Sequence, residues 1–293
     1  MGVAEDFRLF RANYIIPTST TNSISNRYKR ITKQLNIDFY SSYSETSHSL
    51  YVGSYGRDTA AYGISDLDVG FQLPVGLYTK YNTYLGNGQS ALLQVVKKSL
   101  QTTYPNSDIG GDGQVVVVNF SDGITFEILP YFINNGGGWT YPCSNNGGSW
   151  KTCNPIAEIA AIKSRSDNTN RNLKNLCRMM RLWKDYCSVP MSGMLIDTLA
   201  YRFIENWEYH EKSYLYHDFM ARDFFSMMSE QNKDQQWWNA PGSGSCVHRK
   251  GIFEHKARSA YLRACEAIQY NEDSYEWSRR KKWREVFGSR YPL

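Results

Sequence analysis

Two aspartates in one alternating run are the residues of this sequence best suited to chemistry. Asp66 and Asp68 belong to the run 66–73, in which polar and apolar residues alternate. Alternation of period two predicts a β-strand, and it places both carboxylates on one face with their Cα atoms about 6–7 Å apart. Carboxylate oxygens at that spacing can converge on hard cations, which prefer oxygen ligands. Taken alone, the pair is more typical of an ordinary solvated strand face.

An upstream Gly-Ser pair favours the functional interpretation. Gly53 and Ser54 follow the short β-type run 50–52 and precede the small residues at 58–61. A strand that ends in such a turn near a helix start presents backbone N–H groups and a hydroxyl, which suits a phosphate. An anion site and a cation site twelve positions apart together predict a pocket for a metal-bound triphosphate.

A third carboxylate comes from a predicted hairpin. The Asp-Gly pair at 122–123 separates the apolar runs 114–120 and 124–130, and this arrangement is a strong hairpin signal. Glu127 lies in the second run between apolar neighbours, where a charged side chain is costly to bury unless it pairs or binds metal. Beside the first acidic strand it would complete a three-carboxylate cluster. The alternative is a glutamate on an exposed edge strand.

A predicted helix at 170–186 carries a row of basic residues. Lys174, Arg178 and Arg181 are spaced at i, i+4 and i+7 and therefore share one helix face. By itself, a basic stripe of this kind is typical of a solvated helix face.

These motifs together resemble the signature of the DNA polymerase β-type nucleotidyltransferase superfamily. More narrowly, the chain resembles the bacterial cGAS/DncV-like nucleotidyltransferases (CD-NTases), which make cyclic oligonucleotide signals for antiphage defence. The matching stretches span most of the chain in the expected order: 52–59, 65–68, 126–132, 173–184 and 282–288.

The resemblance implies an α+β, two-lobed nucleotidyltransferase fold. Residues 1–150 would form a mixed-sheet catalytic core with a long N-terminal spine helix, and residues 151–293 a helical lobe that completes the nucleotide-binding cleft. The sequence pattern agrees, since strands give way to helices near residue 150. The spine helix is predicted from Asn22 to the mid-forties. We expect residues 1–20 to be an extended lead-in, 110–113 a turn and 134–150 a loop.

The resemblance also implies an activity. Nucleoside triphosphates (NTPs) would be condensed into a cyclic oligonucleotide, preferably a purine-containing cyclic dinucleotide, with release of pyrophosphate. Two Mg²⁺ ions, or Mn²⁺ in their place, would be held by Asp66, Asp68 and Glu127. The glutamate stands where the superfamily more often has aspartate.

Donor contacts are implied on both sides of the substrate. Gly53 and Ser54 would hold the β- and γ-phosphates. The basic helix would neutralise the donor triphosphate, with Arg181 at a position where the family usually has lysine. A guanidinium binds phosphate in a fork, so this change alters the contact geometry. The basic and hydroxyl candidates on this side are Arg178, Arg181, Lys184 and Ser192, the last being equally suited to cap a helix.

Implied partners are the NTP substrates, ATP and/or GTP, and a separate effector protein that reads the product. We expect a cytoplasmic monomer with no obligatory nucleic acid and no membrane. Two other functions stay open. One is nucleotidyl transfer to a different acceptor, such as an antibiotic, an RNA end or a protein hydroxyl. The other is a catalytically silent nucleic-acid-binding module, which the intact acidic triad argues against.

Composition is consistent with this assignment. The chain has 293 residues, of which 41% are apolar and 15% aromatic, and it carries a net charge of +5. That mild basic excess suits polyanionic substrates but does not demand DNA or RNA. Its six cysteines form no C-x-x-C pair, which is typical of reduced thiols, and Cys143, Cys153, Cys246 and His248 match no common zinc spacing.

Overall fold

Strands and helices alternate in the first half of the chain and helices dominate the second half in the computed structural model, which describes residues 2–270 and 272–293. The helices are α1 (Val3–Tyr14), α2 (Thr18–Tyr40), α3 (Gly53–Gly56), α4 (Val75–Asn82), α5 (Gly88–Thr103), α6 (Pro155–Asp167), α7 (Asn172–Tyr186), α8 (Gly193–Glu205), α9 (His217–Ser229), α10 (Glu254–Gln269) and α11 (Glu276–Phe287). The strands are β1 (Ser49–Tyr51), β2 (Asp66–Gln72), β3 (Asp108–Asp112), β4 (Val115–Asn119), β5 (Thr125–Ile133), β6 (Trp139–Cys143), β7 (Ser149–Cys153), β8 (Trp237–Asn239) and β9 (Cys246–His248).

One compact unit, formed by Pro17–Gly56 and Ile64–Ala157, contains a mixed sheet. Its strand order is β1-β2-β5-β4-β3, and β6 and β7 extend it from the end of β5. Strands β2 and β5 run parallel, whereas β1 is antiparallel to β2 and β4 is antiparallel to β5. The predicted hairpin is therefore present as β4 and β5.

The apolar face of this sheet is covered by α2 and α5. Leu67, Val69 and Phe71 alternate along β2 and are buried. They belong to one cluster with the apolar stripe of α2, including Ile24 and Leu35, and with apolar residues of α5. Because side chains alternate along a strand, packing of the apolar set against the helices leaves the acidic residues of β2 on the other face.

A second compact unit combines α1, the segment Arg57–Gly63 and the chain from Glu158 onward. Its core is aromatic, and its largest fully buried side chains include Trp183, Trp283 and Phe7. The predicted division at residue 150 thus differs from the observed one at three places, because α1 and Arg57–Gly63 belong to the helical unit and residues 151–157 belong to the sheet unit. The functional roles of the two units stay predictions.

Three local predictions were wrong. Residues 1–20 are not an extended lead-in, because Val3, Phe7, Phe10 and Tyr14 form a helical stripe that is buried in the helical unit. The predicted loop at 134–150 contains β6 and the start of β7, short strands that its many glycines conceal. The predicted turn at 110–113 overlaps β3, which pairs with β4.

The spine helix is present, but both of its ends lie nearer the N-terminus than predicted. It starts at Thr18 and ends at Tyr40, where Ser41 takes a left-handed conformation with φ 51°. Across the described part of the chain, no helix is both long enough and apolar enough to span a membrane.

Candidate active site

The register of β2 and β5 puts Asp66, Asp68 and Glu127 on one side of the sheet, here called the acidic face. Asp68 lies directly opposite Glu127, and Asp66 lies opposite Thr125. Neighbouring strands are separated by about 4.8 Å, so Asp68 and Glu127 are adjacent and Asp66 is one pleat away. Two strands that run parallel from separate parts of the chain therefore bring the three carboxylates together.

Negative charge dominates the surroundings of Glu127. Burial raises the pKa of its carboxyl group, and the nearby carboxylates of Asp68, Asp66 and Asp112 raise it further. Like charges at this distance disfavour ionisation, whereas a cation bound among them would favour it. The acidic face is thus electrostatically prepared for a positive ligand.

Asp112 is an acidic residue that the sequence analysis missed. It lies at the end of β3, two residues beyond Gly110, which is in register with Val117 and through it with Glu127. The period-two signal was present in the run 108–112, but the two glycines there suggested a turn instead.

The donor set fits a hard divalent cation, because it consists of carboxylate oxygens alone. The Asp66 carboxylate also accepts a hydrogen bond from Ser65 Oγ at 2.9 Å. Within residues 2–270 and 272–293, no group of three or more His, Cys, Asp or Glu side chains is arranged to hold a metal ion as it stands. A metal site on the acidic face therefore requires rotation of these side chains.

The Gly-Ser turn is built directly against this face. Gly53 and Ser54 begin α3, a single helical turn, and the N–H of Val52 donates to the Asp68 carbonyl at 2.9 Å. Gly53 has φ +58°, and a Cβ at this position would overlap the Asp68 carboxylate. Glycine is required here both by the left-handed backbone and by the close approach to an acidic side chain.

The basic helix α7 makes specific contacts inside the helical unit. Arg178 donates from Nε to the Ala60 carbonyl at 3.1 Å and from Nη2 to the Asp58 carbonyl at 2.7 Å. Its guanidinium also pairs with the Asp58 carboxylate, and Lys174 Nζ lies 3.1 Å from the same carboxylate.

The other predicted donor contacts also have partners within this unit. Arg181 binds both carboxylate oxygens of Asp197, at 2.7 and 2.9 Å. Lys184 pairs with its exposed neighbour Asp185. Ser192 caps α8, accepting a hydrogen bond from the N–H of Leu195 at 3.1 Å. Roles for these side chains at a donor triphosphate stay predictions.

Comparison with known proteins places the chain in a well-defined group. The family model of the Second Messenger Oligonucleotide or Dinucleotide Synthetase domain matches residues 1–166. No curated protein matches the chain in sequence.

Solved structures match over the whole chain. CdnC of E. coli MS115-1, solved with ATP, has 15% sequence identity and a TM-score of 0.73, covering 100% of this chain and 99% of that one. DncV of Vibrio cholerae in its apo form has 12% identity and a TM-score of 0.75, covering 98% and 96% of the two chains. The same cyclic AMP-GMP synthase bound to the linear intermediate 5′ pppA(3′,5′)pG has 11% identity and a TM-score of 0.70, covering 100% and 97%. These likenesses confirm the predicted α+β, two-lobed nucleotidyltransferase fold.

Proposed function

The chain belongs to the Second Messenger Oligonucleotide or Dinucleotide Synthetase family and is a cGAS/DncV-like nucleotidyltransferase of the cyclic oligonucleotide synthase type, and we propose that it acts on NTPs with divalent metal ions held at the acidic face. The observation that carries this proposal is the register of Asp68 with Glu127 beside the Gly53 turn. Carboxylates on neighbouring strands and a phosphate-binding turn are the parts that metal-assisted transfer from a triphosphate needs.

Asp66, Asp68 and Glu127 hold the metal ions in this proposal. Two divalent ions bound there would lower the pKa of an attacking ribose hydroxyl and would stabilise the leaving pyrophosphate. The Glu127 carboxylate must be ionised to do this, and burial and the neighbouring carboxylates oppose its ionisation by raising its pKa. Mg²⁺ is the expected ion and Mn²⁺ a substitute for it.

Gly53 and Ser54 orient the donor. The Ser54 hydroxyl and the amide groups at the start of α3 bind the β- and γ-phosphates, so the α-phosphorus faces the acceptor hydroxyl. The hydroxyl oxygen forms a new bond to that phosphorus while the bond to the β-phosphate oxygen breaks, and pyrophosphate and a proton leave. The linear intermediate is then repositioned, and the same step closes the ring.

Solved complexes of similar proteins support this choice of substrate. CdnC was solved with ATP, and DncV with GTP and with a linear adenine–guanine intermediate. We propose that ATP and/or GTP are the substrates and that a purine-containing cyclic dinucleotide is the product. The product would be read by a separate effector protein in antiphage signalling in the cytoplasm, with the synthase acting as a monomer.

The direct test is pyrophosphate release from labelled NTPs in the presence of Mg²⁺. Wild type should turn over, and Asp68→Asn should lose about a thousandfold because metal ions supply several kcal/mol of transition-state stabilisation. Asp108→Asn is a matched control. Asp108 is an exposed aspartate on β3. It is separated from Asp66 by two intervening strands, because Asp108 pairs with Asn119, Asn119 pairs with Thr125, and Thr125 pairs with Asp66. Turnover of Asp68→Asn at the wild-type rate would contradict the metal role.

Product analysis separates ring closure from the alternative chemistry. A cyclic product has no terminal phosphate, so label incorporated from NTPs should resist phosphatase. Quantitative release of the label by phosphatase would indicate linear synthesis. Turnover that requires an added antibiotic, RNA or protein acceptor would indicate transfer to that acceptor instead.

A further inference from the structure

The segment Arg57–Gly63, here called the anchoring segment, follows the Gly53–Gly56 turn without a break in the chain. Its contacts hold it in the helical unit. The N–H of Tyr62 donates to the Tyr14 carbonyl at 2.7 Å, and Arg178 binds the carbonyls of Asp58 and Ala60. The residues that follow the Gly53–Gly56 turn, here called the donor-binding turn, are therefore attached to helices of the helical unit.

Asp197 on α8 is the central acceptor of this attachment. Its carboxylate accepts from Arg57 Nε at 3.0 Å and from Thr59 Oγ1 at 2.8 Å, in addition to the two bonds from Arg181. Burial alone would raise the pKa of Asp197, but Arg181 and Arg57 outweigh burial and lower the pKa to about 2. The carboxylate is thus ionised and fully hydrogen-bonded inside the helical unit.

A second contact secures the same arginine. Arg57 Nη1 lies 3.4 Å from the Glu158 carboxylate, and Ser243 Oγ donates to that carboxylate at 2.9 Å. The side chains of Arg57 and Thr59 are buried, so the first residues of the anchoring segment have little freedom.

The turn is held against the sheet at its entrance, where the ring of Tyr55 lies 4.8 Å from the ring of Tyr51. None of the residues of α3 is buried, and a single helical turn is not stable alone. Its entrance is tied to the sheet through the bond from Val52 to Asp68, and the N–H of Gly56 donates to the Val52 carbonyl at 2.8 Å. Its exit is the anchoring segment, so a shift of that segment would be passed first to Gly56 and the end of the turn.

We propose that Asp197 is a positioning residue for the donor-binding turn, which it orients by holding Arg57 and Thr59 immediately after Gly56. This inference rests on the proposed function for the role of the turn, but not for the attachment itself. Asp197 does not touch the substrate in this account. It acts through the chain that leaves the turn, where a displacement of about 1 Å is enough to cost much of the activity.

The test compares Asp197→Asn with Asp6→Asn in the full chain. Asp6 is a matched control, because it is a fully buried aspartate of the same unit that accepts from two arginines, Arg279 Nε at 2.9 Å and Arg280 Nε at 2.8 Å. It joins α1 to α11 and does not bind the anchoring segment. Both variants lose one buried carboxylate charge, so they share the general destabilisation and differ in what they release.

Hydrogen exchange of the backbone amides at 53–62 is the first readout, and it requires no activity. Asp197→Asn should raise exchange in this stretch by about tenfold or more, whereas Asp6→Asn should leave it close to wild type. The second readout is the NTP dependence of pyrophosphate release, for which Asp197→Asn should raise KM by about tenfold with a smaller change in kcat.

Equal exchange at 53–62 in the two variants, or an unchanged KM in Asp197→Asn, would overturn the positioning role. If Asp197→Asn does not fold, Thr59→Val removes one bond to Asp197 at similar volume and should give the same changes on a smaller scale, and its failure to do so would count equally against the role. A wild-type protein that releases no pyrophosphate from any NTP would refute the proposed function, while the exchange comparison would still decide whether Asp197 holds the segment.

Discussion

Carboxylates are treated in opposite ways in the two units of this molecule. On the acidic face of the sheet unit, burial raises the pKa of Glu127, and the carboxylates of Asp68, Asp66 and Asp112 raise it further. In the helical unit, Asp197 is more deeply buried, yet two arginines lower its pKa to about 2. The helical unit therefore favours the ionised form of a carboxyl group, whereas the acidic face disfavours it.

The difference indicates which carboxylates serve the fold and which serve a ligand. A buried ion pair loses much when one partner is removed, because the other charge is left without compensation. A cluster of like charges instead destabilises the protein until a counter-ion arrives, and such perturbed groups concentrate at functional sites. The predictions below test this contrast.

The largest expected effect is on stability in the helical unit. Asp197→Asn should lower the free energy of unfolding by about 3–5 kcal/mol, because Arg57 and Arg181 lose their buried counter-charge. Asp6→Asn should cost a similar amount for the same reason. Urea denaturation of the two variants and wild type measures this, and a loss below about 1 kcal/mol in both would show that these pairs do not stabilise the fold.

The next effect is on catalysis in the sheet unit. Gly53→Ala should reduce turnover by about a hundredfold, because its Cβ would displace the Asp68 carboxylate and the backbone there is left-handed. Gly76→Ala is the control, since a Cβ at Gly76 in α4 meets no atom within 4 Å. Pyrophosphate release by Gly53→Ala at the rate of Gly76→Ala would mean that the turn does not need its contact with Asp68.

Acid should reduce the difference in free energy of unfolding between wild type and Asp197→Asn. The pKa of Asp197 is about 2 in the folded protein against an ordinary value of 3.8, so the stabilisation linked to its ionisation is complete above pH 3.8. As the pH falls from there through about 2, a contribution of about 2 kcal/mol is lost. Urea midpoints of both proteins between pH 5 and pH 2 should converge, and a constant difference would contradict this linkage.

The smallest expected effect is a gain in stability rather than a loss. Glu127→Gln should stabilise the metal-free protein by less than about 1 kcal/mol, because it removes a half-buried charge from the neighbourhood of Asp68 and Asp66. Thermal unfolding in the presence of a chelator measures the change. A clear loss of stability would show that Glu127 has a favourable partner in the fold and would weaken the contrast.

Local patterns predicted the strands that carry the acidic face, but not how those strands pair. The alternation along 66–73 and the Asp-Gly hairpin place Asp66, Asp68 and Glu127 on strands, and the resemblance supplied the pairing of β2 with β5. Asp112 was missed because glycines weaken a strand signal.

The contacts of the basic helix could not be predicted in the same way. Arg178 and Arg181 have the spacing of a phosphate-binding face, but their partners are set by tertiary structure: Ala60 lies 118 residues from Arg178, and Asp197 lies on the following helix. A stripe of charge does not reveal whether its partner is a ligand or another part of the chain. The helix at 3–14 was missed although Val3, Phe7, Phe10 and Tyr14 have helical spacing, because the polar residues of this stretch suggested an extended segment.

Binding of Mn²⁺ to the metal-free protein tests the central claim most directly, and thermal unfolding during a Mn²⁺ titration measures it without any turnover. An ion that binds the folded protein raises the unfolding midpoint with its concentration. Wild type and Asp108→Asn should show this rise, and Asp68→Asn and Glu127→Gln should lose most of it. An equal rise in all four proteins would show that the acidic face does not hold the metal.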